Sequence, residues 1–123
     1  VPAAGARLSV SLLDLEAGWR TCAEELSAEL CELGLLGAGD EVTFGAADVT
    51  RPLGEGPNAG SLSPGSQWDL LIFSYVIAEN LQTLRAGDYV LLRGLFSVLR
   101  PGACCLVLDS SRRFHEDLQG LAR

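Results

Sequence analysis

Lysine is absent from this chain of 123 residues, so all nine of its basic residues are arginine. Several common sites depend on lysine, including the phosphate-binding loop of nucleotide hydrolases, the Schiff base of pyridoxal enzymes and the active site of receiver domains. The sequence therefore excludes these three classes of protein.

Metal ligands are also scarce. The chain has one histidine, His115, which we interpret as a surface residue, and four cysteines without a Cys-x-x-Cys pair. We therefore expect no metal site. The adjacent Cys104 and Cys105 point to opposite faces of a predicted strand, where buried thiols act as small hydrophobic residues. Unpaired cysteines favour a reducing intracellular compartment, the cytoplasm or the nucleus.

Long apolar runs and an excess of positive charge are missing too. No run reaches membrane-spanning length, and the first ten residues lack a signal-peptide core, so we predict a soluble protein without a membrane partner. Sixteen acidic against nine basic residues give a formal charge of −7. Because a phosphate backbone would repel this charge, any RNA contact must be local or come from sequence outside the chain.

A strand, a helix and a second strand dominate the second half of the sequence. Residues 70–75 (LLIFSY) and 103–108 (ACCLVL) are short apolar runs, typical of parallel strands buried on both faces. Residues 90–99 have apolar positions at helical spacing, and residues 78–87 (AENLQTLRAG) are interpreted as a polar loop before that helix. A strand–helix–strand unit of this length predicts a right-handed crossover.

The first half repeats this alternation. Strands are predicted at residues 8–13 and 41–47, with an amphipathic helix at 19–33 between them. Its apolar stripe is expected to pack on the sheet and consists of Trp19, Cys22, Leu26, Leu30 and Leu33. Residues 51–67, rich in glycine, proline and serine, are interpreted as a mobile loop, either a tolerated surface insertion or a lid. Residues 112–123 begin another helix. The whole chain is therefore predicted as a single α/β domain with a mostly parallel sheet and flanking helices.

Polar residues follow the ends of these predicted strands, where parallel sheets bind ligands. They are Asp14 and Glu16, Asp48, Ser74 and Tyr75, and residues 109–111. Acids together with neutral polar groups suit a ligand rich in hydroxyl and amino groups, not one that is mainly phosphate.

The chain contains, in order, the motifs VSLLDLE, FGAADVT, WDLLIFSY followed by VIAEN, and LRPGACCLVLDSS. In their order and spacing these motifs resemble the class I S-adenosylmethionine-dependent methyltransferases, which have a Rossmann-like fold. The resemblance begins at the second strand of that fold. The resemblance implies that Asp14 binds the ribose hydroxyls and that Asp48, with Val49 beside it, binds the adenine amino group. It further implies that Ser74 and Tyr75 face the cofactor.

For the remaining sites the resemblance implies less. Glu79 and Asn80 are expected on the substrate side, and no catalytic residue is assigned. Local structural roles stay open as alternatives: Asp14 as a helix cap, Asp48 as the cap of a turn, and Tyr75 as a packing residue.

A closer resemblance connects LLDLEAGW, WDLLIFSYVIAEN and LRPGACCLVLDSS to a methyltransferase group that includes fungal enzymes methylating uridine N3 of large-subunit ribosomal RNA. It implies an RNA substrate. The family's first strand and glycine-rich loop have no counterpart in residues 1–7, so we expect the chain to be the interior of a larger enzyme. Its two exposed strand edges would then pair directly with each other or with a partner chain, which predicts self-association.

Two other functions fit the same pattern. A methyltransferase-like domain with a degenerate pocket would serve as a binding or assembly module. A nucleotide-dependent oxidoreductase also carries an acid after its second strand to bind ribose.

If Asp14 binds ribose hydroxyls, Asp14→Ala in the full-length protein should weaken cofactor binding by on the order of 1.5–3 kcal/mol, the range for a charge-assisted hydrogen bond. Titration calorimetry with S-adenosylhomocysteine measures this change. An unaltered affinity in a folded variant would remove Asp14 from the site.

Overall fold

The structure, a computed structural model, describes residues 5–122. Contacts divide the chain, predicted as a single domain, into two compact units: the first ends at Ala47 and the second begins at Asp48. Each unit contains one two-stranded parallel sheet with flanking helices, so the fold is mixed α/β. Neither sheet contains strands of both units.

The first unit is a β–α–β element close to its predicted bounds. Strand β1 is Ser9–Asp14, helix α1 is Trp19–Glu32 and strand β2 is Glu41–Ala46. The strands pair in parallel from Ser9↔Glu41 to Asp14↔Ala46.

Asp40 ties together the start of this strand pair. Its Oδ1 accepts a hydrogen bond from the backbone N–H of Leu8 and its Oδ2 one from that of Gly37, each at 2.8 Å. These two bonds favour the carboxylate and lower the pKa of Asp40 below its ordinary value of 3.8.

Helix α1 packs through a different face from the one predicted. Ala23 is its buried residue, and the Arg20 guanidinium lies over the Phe44 ring of β2, 5.2 Å from the ring centre. Small Ala23 permits close approach to the strands, and the aliphatic part of Arg20 covers apolar surface. Most of the stripe predicted to face the sheet is exposed instead: Trp19, Cys22, Leu26 and Leu33.

The second unit contains the second parallel pair and most of the helices. Its strands are β3, Leu70–Ser74, and β4, Cys104–Leu108, in register from Leu70↔Cys104 to Ser74↔Leu108. Its α-helices are α2 (Val76–Glu79), α3 (Leu81–Ala86), α4 (Val90–Val98) and α5 (His115–Leu121). Strands, α4 and the final helix match the prediction, and α4 stops before Gly102, whose φ of +90° suits glycine.

Helices α2 and α3 overturn the prediction of a loop at residues 78–87. Ile77 and Leu84 are 0% and 2% exposed, and Leu81 packs against the same cluster. These residues recur at intervals of four and three, which is helical spacing. Of the polar residues between them, Glu79, Gln82 and Thr83 are exposed. The number of polar residues in this segment conceals the apolar stripe.

The core of the second unit lies on one face of β3 and β4. Phe73 and Val107 of the inner sheet face pack against a cluster of buried side chains: Ile77, Leu84, Tyr89, Leu92 and Phe114. The outer face is open, with Leu70, Ile72, Leu106 and Leu108 each 44–55% exposed. The prediction that both faces are buried is therefore wrong, because the helices of this unit cover only one.

The cysteines also depart from the prediction. All four are exposed free thiols, including Cys104 and Cys105 of β4. Partial burial raises the pKa of Cys105 above its ordinary value of 9.0.

Residues 51–67, predicted as a mobile loop, are anchored at several points. A 3₁₀ turn at Gly56–Ala59 is enclosed by a hydrogen bond from Gly54 N to Leu62 O at 2.8 Å. Leu62 is 4% exposed and Asn58 is fully buried. The segment is thus a closed, anchored loop. Among residues 5–122, no helix combines the length and apolar character needed to cross a membrane.

A charged clamp attaches α5 to the helices before it. Asp117 Oδ2 accepts hydrogen bonds from Arg85 Nε, at 2.8 Å, and from the hydroxyl of Tyr89. The Tyr89 hydrogen bond, followed by that of Arg85, lowers the pKa of Asp117 below 3.8. Burial and the hydrogen bond to Asp117 raise the pKa of Tyr89 above 10.0.

This clamp should make stability depend on acid pH. A carboxyl group whose pKa is lowered by folding stabilises the protein above its unfolded pKa, here 3.8, and that contribution is lost as pH falls through the folded pKa. We therefore expect Asp117→Asn to lower the free energy of unfolding above pH 3.8, with a difference from wild type that shrinks at lower pH. Urea unfolding across this range tests it; a constant difference would contradict the clamp.

Candidate functional site

Asp48 begins the second unit and is held as the cap of a turn. Its Oδ1 accepts hydrogen bonds from Thr50 N at 2.9 Å and from Thr50 Oγ1 at 2.7 Å. Its Oδ2 accepts none from residues 5–122, and Arg51 Nε lies 3.9 Å away. The side chain is 18% exposed. The turn-capping alternative is therefore present, and it uses only one of the two carboxylate oxygens.

The side chain of Asn58 fixes the backbone of Asp48. Asn58 Oδ1 accepts a hydrogen bond from Asp48 N at 2.7 Å, and Nδ2 donates to Asp48 O at 3.0 Å. Nδ2 also lies 3.0 Å from the carbonyl oxygens of Arg51 and Pro52. This buried amide therefore has partners for all of its polar groups, as burial requires.

Val49 anchors the same segment to the core. It packs against the cluster that contains Ile77, and Val76 and Ala78 pack against that cluster too. The segment that follows β2 and the segment that follows β3 thus meet on one set of buried side chains. Through this cluster the structure brings Val49, and Asp48 beside it, close to Val76 and Ala78, which follow Tyr75.

Tyr75 lies at the carboxyl end of β3 in a left-handed conformation, with φ 56° and ψ 14°. Its backbone N–H donates to Leu108 O at 2.7 Å, while its side chain is 60% exposed. A non-glycine residue pays about 1–2 kcal/mol for this conformation. The packing alternative is not supported, because most of the ring faces solvent.

Asp109, at the end of β4, fixes the turn after Tyr75. Its Oδ2 accepts a hydrogen bond from Ala78 N at 2.8 Å and its Oδ1 one from Ser110 N at 2.7 Å. Both carboxylate oxygens thus have a structural role at the adjoining ends of β3 and β4.

The other residues predicted for this region differ in their exposure and hydrogen bonding. Ser74 and Glu79 are exposed, whereas Asn80 is half-buried and its Nδ2 donates to Val76 O at 2.9 Å. Asn80 is therefore occupied in capping its own helical turn.

Asp14 belongs to the first unit. It is exposed at the end of β1, and its Oδ1 accepts a hydrogen bond from Glu16 N at 2.8 Å. Glu16 Oε1 in turn accepts from Gly18 N at 3.2 Å. The alternative of Asp14 as the cap of α1 is wrong, since Glu16 is the residue that reaches the segment before the helix.

Asn58 and Asp109 have structural roles in this region that the sequence did not predict. The sequence places Asp109 at a strand end but indicates no specific role for it. The composition of residues 51–67 predicts a mobile loop around Asn58, although Asn58 lies between Pro57 and a glycine-containing segment with one leucine, Leu62. That combination of a turn amide and an apolar anchor is the signal for a closed loop.

Comparison of the chain with protein-family models, curated proteins and solved structures gave no match. Within residues 5–122, no group of three or more histidine, cysteine, aspartate or glutamate side chains is arranged to hold a metal ion. A functional interpretation therefore depends on the geometry of the strand ends.

Two tyrosines with left-handed backbones offer a direct test of what the ring of Tyr75 does. Tyr89 has φ 53° but is only 6% exposed. Tyr75→Gly should relieve backbone strain, with a stability change between zero and a gain of about 1 kcal/mol, after the entropy cost of glycine. Tyr89→Gly should lose about 3 kcal/mol or more, because it removes a buried ring.

Chemical unfolding of the two variants beside wild type measures this contrast. Equal losses of stability would show that the ring of Tyr75 is needed for folding.

Proposed function

We propose that this chain is an S-adenosylmethionine-dependent methyltransferase domain with a Rossmann-like fold, and that Asp48 recognises the amino group of adenine. The observation that carries the proposal is the fixed geometry of Asp48. Its backbone is held by Asn58 and its Oδ1 by Thr50, while Oδ2 accepts no hydrogen bond within the described chain. A fixed acceptor suits a ligand that presents an N–H donor.

The neighbouring residues fit the rest of such a cofactor. Val49 supplies apolar surface beside Asp48, and the exposed ring of Tyr75 supplies an aromatic surface. Binding of the ribose hydroxyls by Asp14, which belongs to the first unit, stays a prediction. In the second unit, Asp48, Val49 and Tyr75 match the amino group and the apolar parts of the cofactor.

Methyl transfer requires little from the protein beyond the positioning of the reacting groups. S-adenosylmethionine supplies an electrophilic methyl carbon when it is bound. Ser74 and Tyr75 would orient the bound ligand at the end of β3, with Glu79 and Asn80 on the substrate side. Holding a reacting carbon in line with a nucleophile accounts for large rate increases without a covalent intermediate on the protein.

An RNA substrate and an intracellular location are part of this proposal. The free thiols of all four cysteines are consistent with a reducing compartment, the cytoplasm or the nucleus. With a net charge of −7, contact with RNA would depend on local positive groups such as the exposed Arg112 and Arg113 after β4. Self-association through the open strand edges stays a prediction.

The test compares two ligands that differ at one group. S-adenosylhomocysteine carries the adenine amino group, and S-inosylhomocysteine carries an oxygen in its place. We expect the chain to bind the first more tightly, and Asp48→Asn to weaken it by tenfold or more, about 1.4 kcal/mol, because the new amide presents N–H where an acceptor is needed. Titration calorimetry with both ligands measures this.

Asp88→Asn is the matched control, since it makes the same change at an exposed acid that pairs with Arg93 at 2.9 Å. It should leave both affinities unchanged. Failure of the chain to bind S-adenosylhomocysteine, or equal effects of the two substitutions, would contradict the proposal.

A further inference from the structure

The loop of residues 51–67 fixes the backbone of Asp48. One side chain from this loop, Asn58, holds both backbone polar groups of Asp48, through bonds of 2.7 and 3.0 Å. Asn58 lies ten residues further along the chain and is fully buried. The orientation of Asp48 therefore depends on how the loop folds.

The loop has its own supports, which set the position of Asn58. Gly54 N donates to Leu62 O at 2.8 Å, and Leu62 N donates to Asn58 O at 2.8 Å. Leu53 packs so closely on α4 that a Cβ atom added to Gly94 would lie 3.0 Å from the Leu53 Cβ. These contacts connect the loop to the core of the second unit.

Removing the Asn58 side chain would leave several backbone polar groups without a partner. Without this amide, the N–H of Asp48 and the carbonyl groups of Asp48, Arg51 and Pro52 lose a buried partner. Unpaired buried backbone groups are strongly disfavoured. The chain would turn these groups toward water, and the turn that presents Asp48 Oδ2 would change with them.

We propose that Asn58 is a positioning residue for ligand recognition: through the closed loop it orients Asp48, so that ligand binding and loop closure are linked. This inference rests on the proposed function, because it takes Asp48 as the residue that reads the amino group. A ligand that binds only the closed loop stabilises that state by mass action.

The experiment compares Asn58→Ala with Leu62→Ala. Leu62 is 4% exposed and anchors the same loop, but its side chain makes no hydrogen bond to Asp48. A partly unfolded population weakens both ligands by the same factor, since apparent affinity scales with the competent fraction. The ratio of the affinities for S-adenosylhomocysteine and S-inosylhomocysteine therefore reports on the orientation of Asp48, separately from stability.

We expect Asn58→Ala to reduce this ratio toward one, and Leu62→Ala to weaken both ligands while keeping the wild-type ratio. A wild-type ratio in Asn58→Ala, or an equal fall in both variants, would overturn the positioning role. A wild-type chain that binds neither ligand would instead overturn the proposed function, and this inference with it, so the two failures are distinguishable.

Hydrogen exchange of the wild-type chain decides the question if Asn58→Ala does not fold. Saturating S-adenosylhomocysteine should slow amide exchange at residues 54–62 by about the same factor as its mass-action stabilisation, roughly a hundredfold at a hundred times Kd. Slower exchange there would support the link between ligand and loop. Binding without any change at these amides would overturn it.

Discussion

Parallel pairing is the constraint on which the rest of this structure depends. Two parallel strands cannot be joined by a tight turn, so each pair needs a crossover segment, and both strands then end at the same edge of the sheet. In the first unit this places Asp14 beside the end of β2, and in the second it places Tyr75 beside Asp109. Polar residues that follow paired strands therefore come together at one edge of each sheet.

The strands and long helices were predictable because their signal is local. Continuous apolar runs predicted β3 and β4, and apolar spacing predicted α4, since each pattern is read within a few residues. The short helices α2 and α3 were missed, because polar residues outnumber Ile77, Leu81 and Leu84 in that segment.

Which faces of the strands are covered by other elements could not be predicted in the same way. Whether Leu70 or Cys104 meets another layer depends on elements distant in sequence, and hydrophobic character alone does not tell an open face from a covered one. The position of the candidate residues at strand ends was predictable from the order of elements. Their hydrogen bonds were not, because the partner of Asp48, Asn58, lies in a segment whose composition is that of an ordinary loop.

The second unit contains a contrast between two uses of a strained tyrosine. At Tyr89 the left-handed backbone is offset by a buried ring and by the clamp with Asp117. At Tyr75 the ring is mostly in solvent, so its packing offsets little of the backbone strain. Backbone strain that folding does not require is typical of residues at functional sites.

Asp40 has a consequence at the far end of its sheet. By holding Leu8 and Gly37, it sets which residue of β1 lies opposite which residue of β2. A slip of one residue would exchange the two faces of β1 and carry Asp14 away from its present neighbour, Ala46. The position of Asp14 is thus set at the opposite end of its strand. A substitution of Asp40 would shift the alignment of β1 with β2 and so displace Asp14, with no change to the chemistry of Asp14 itself.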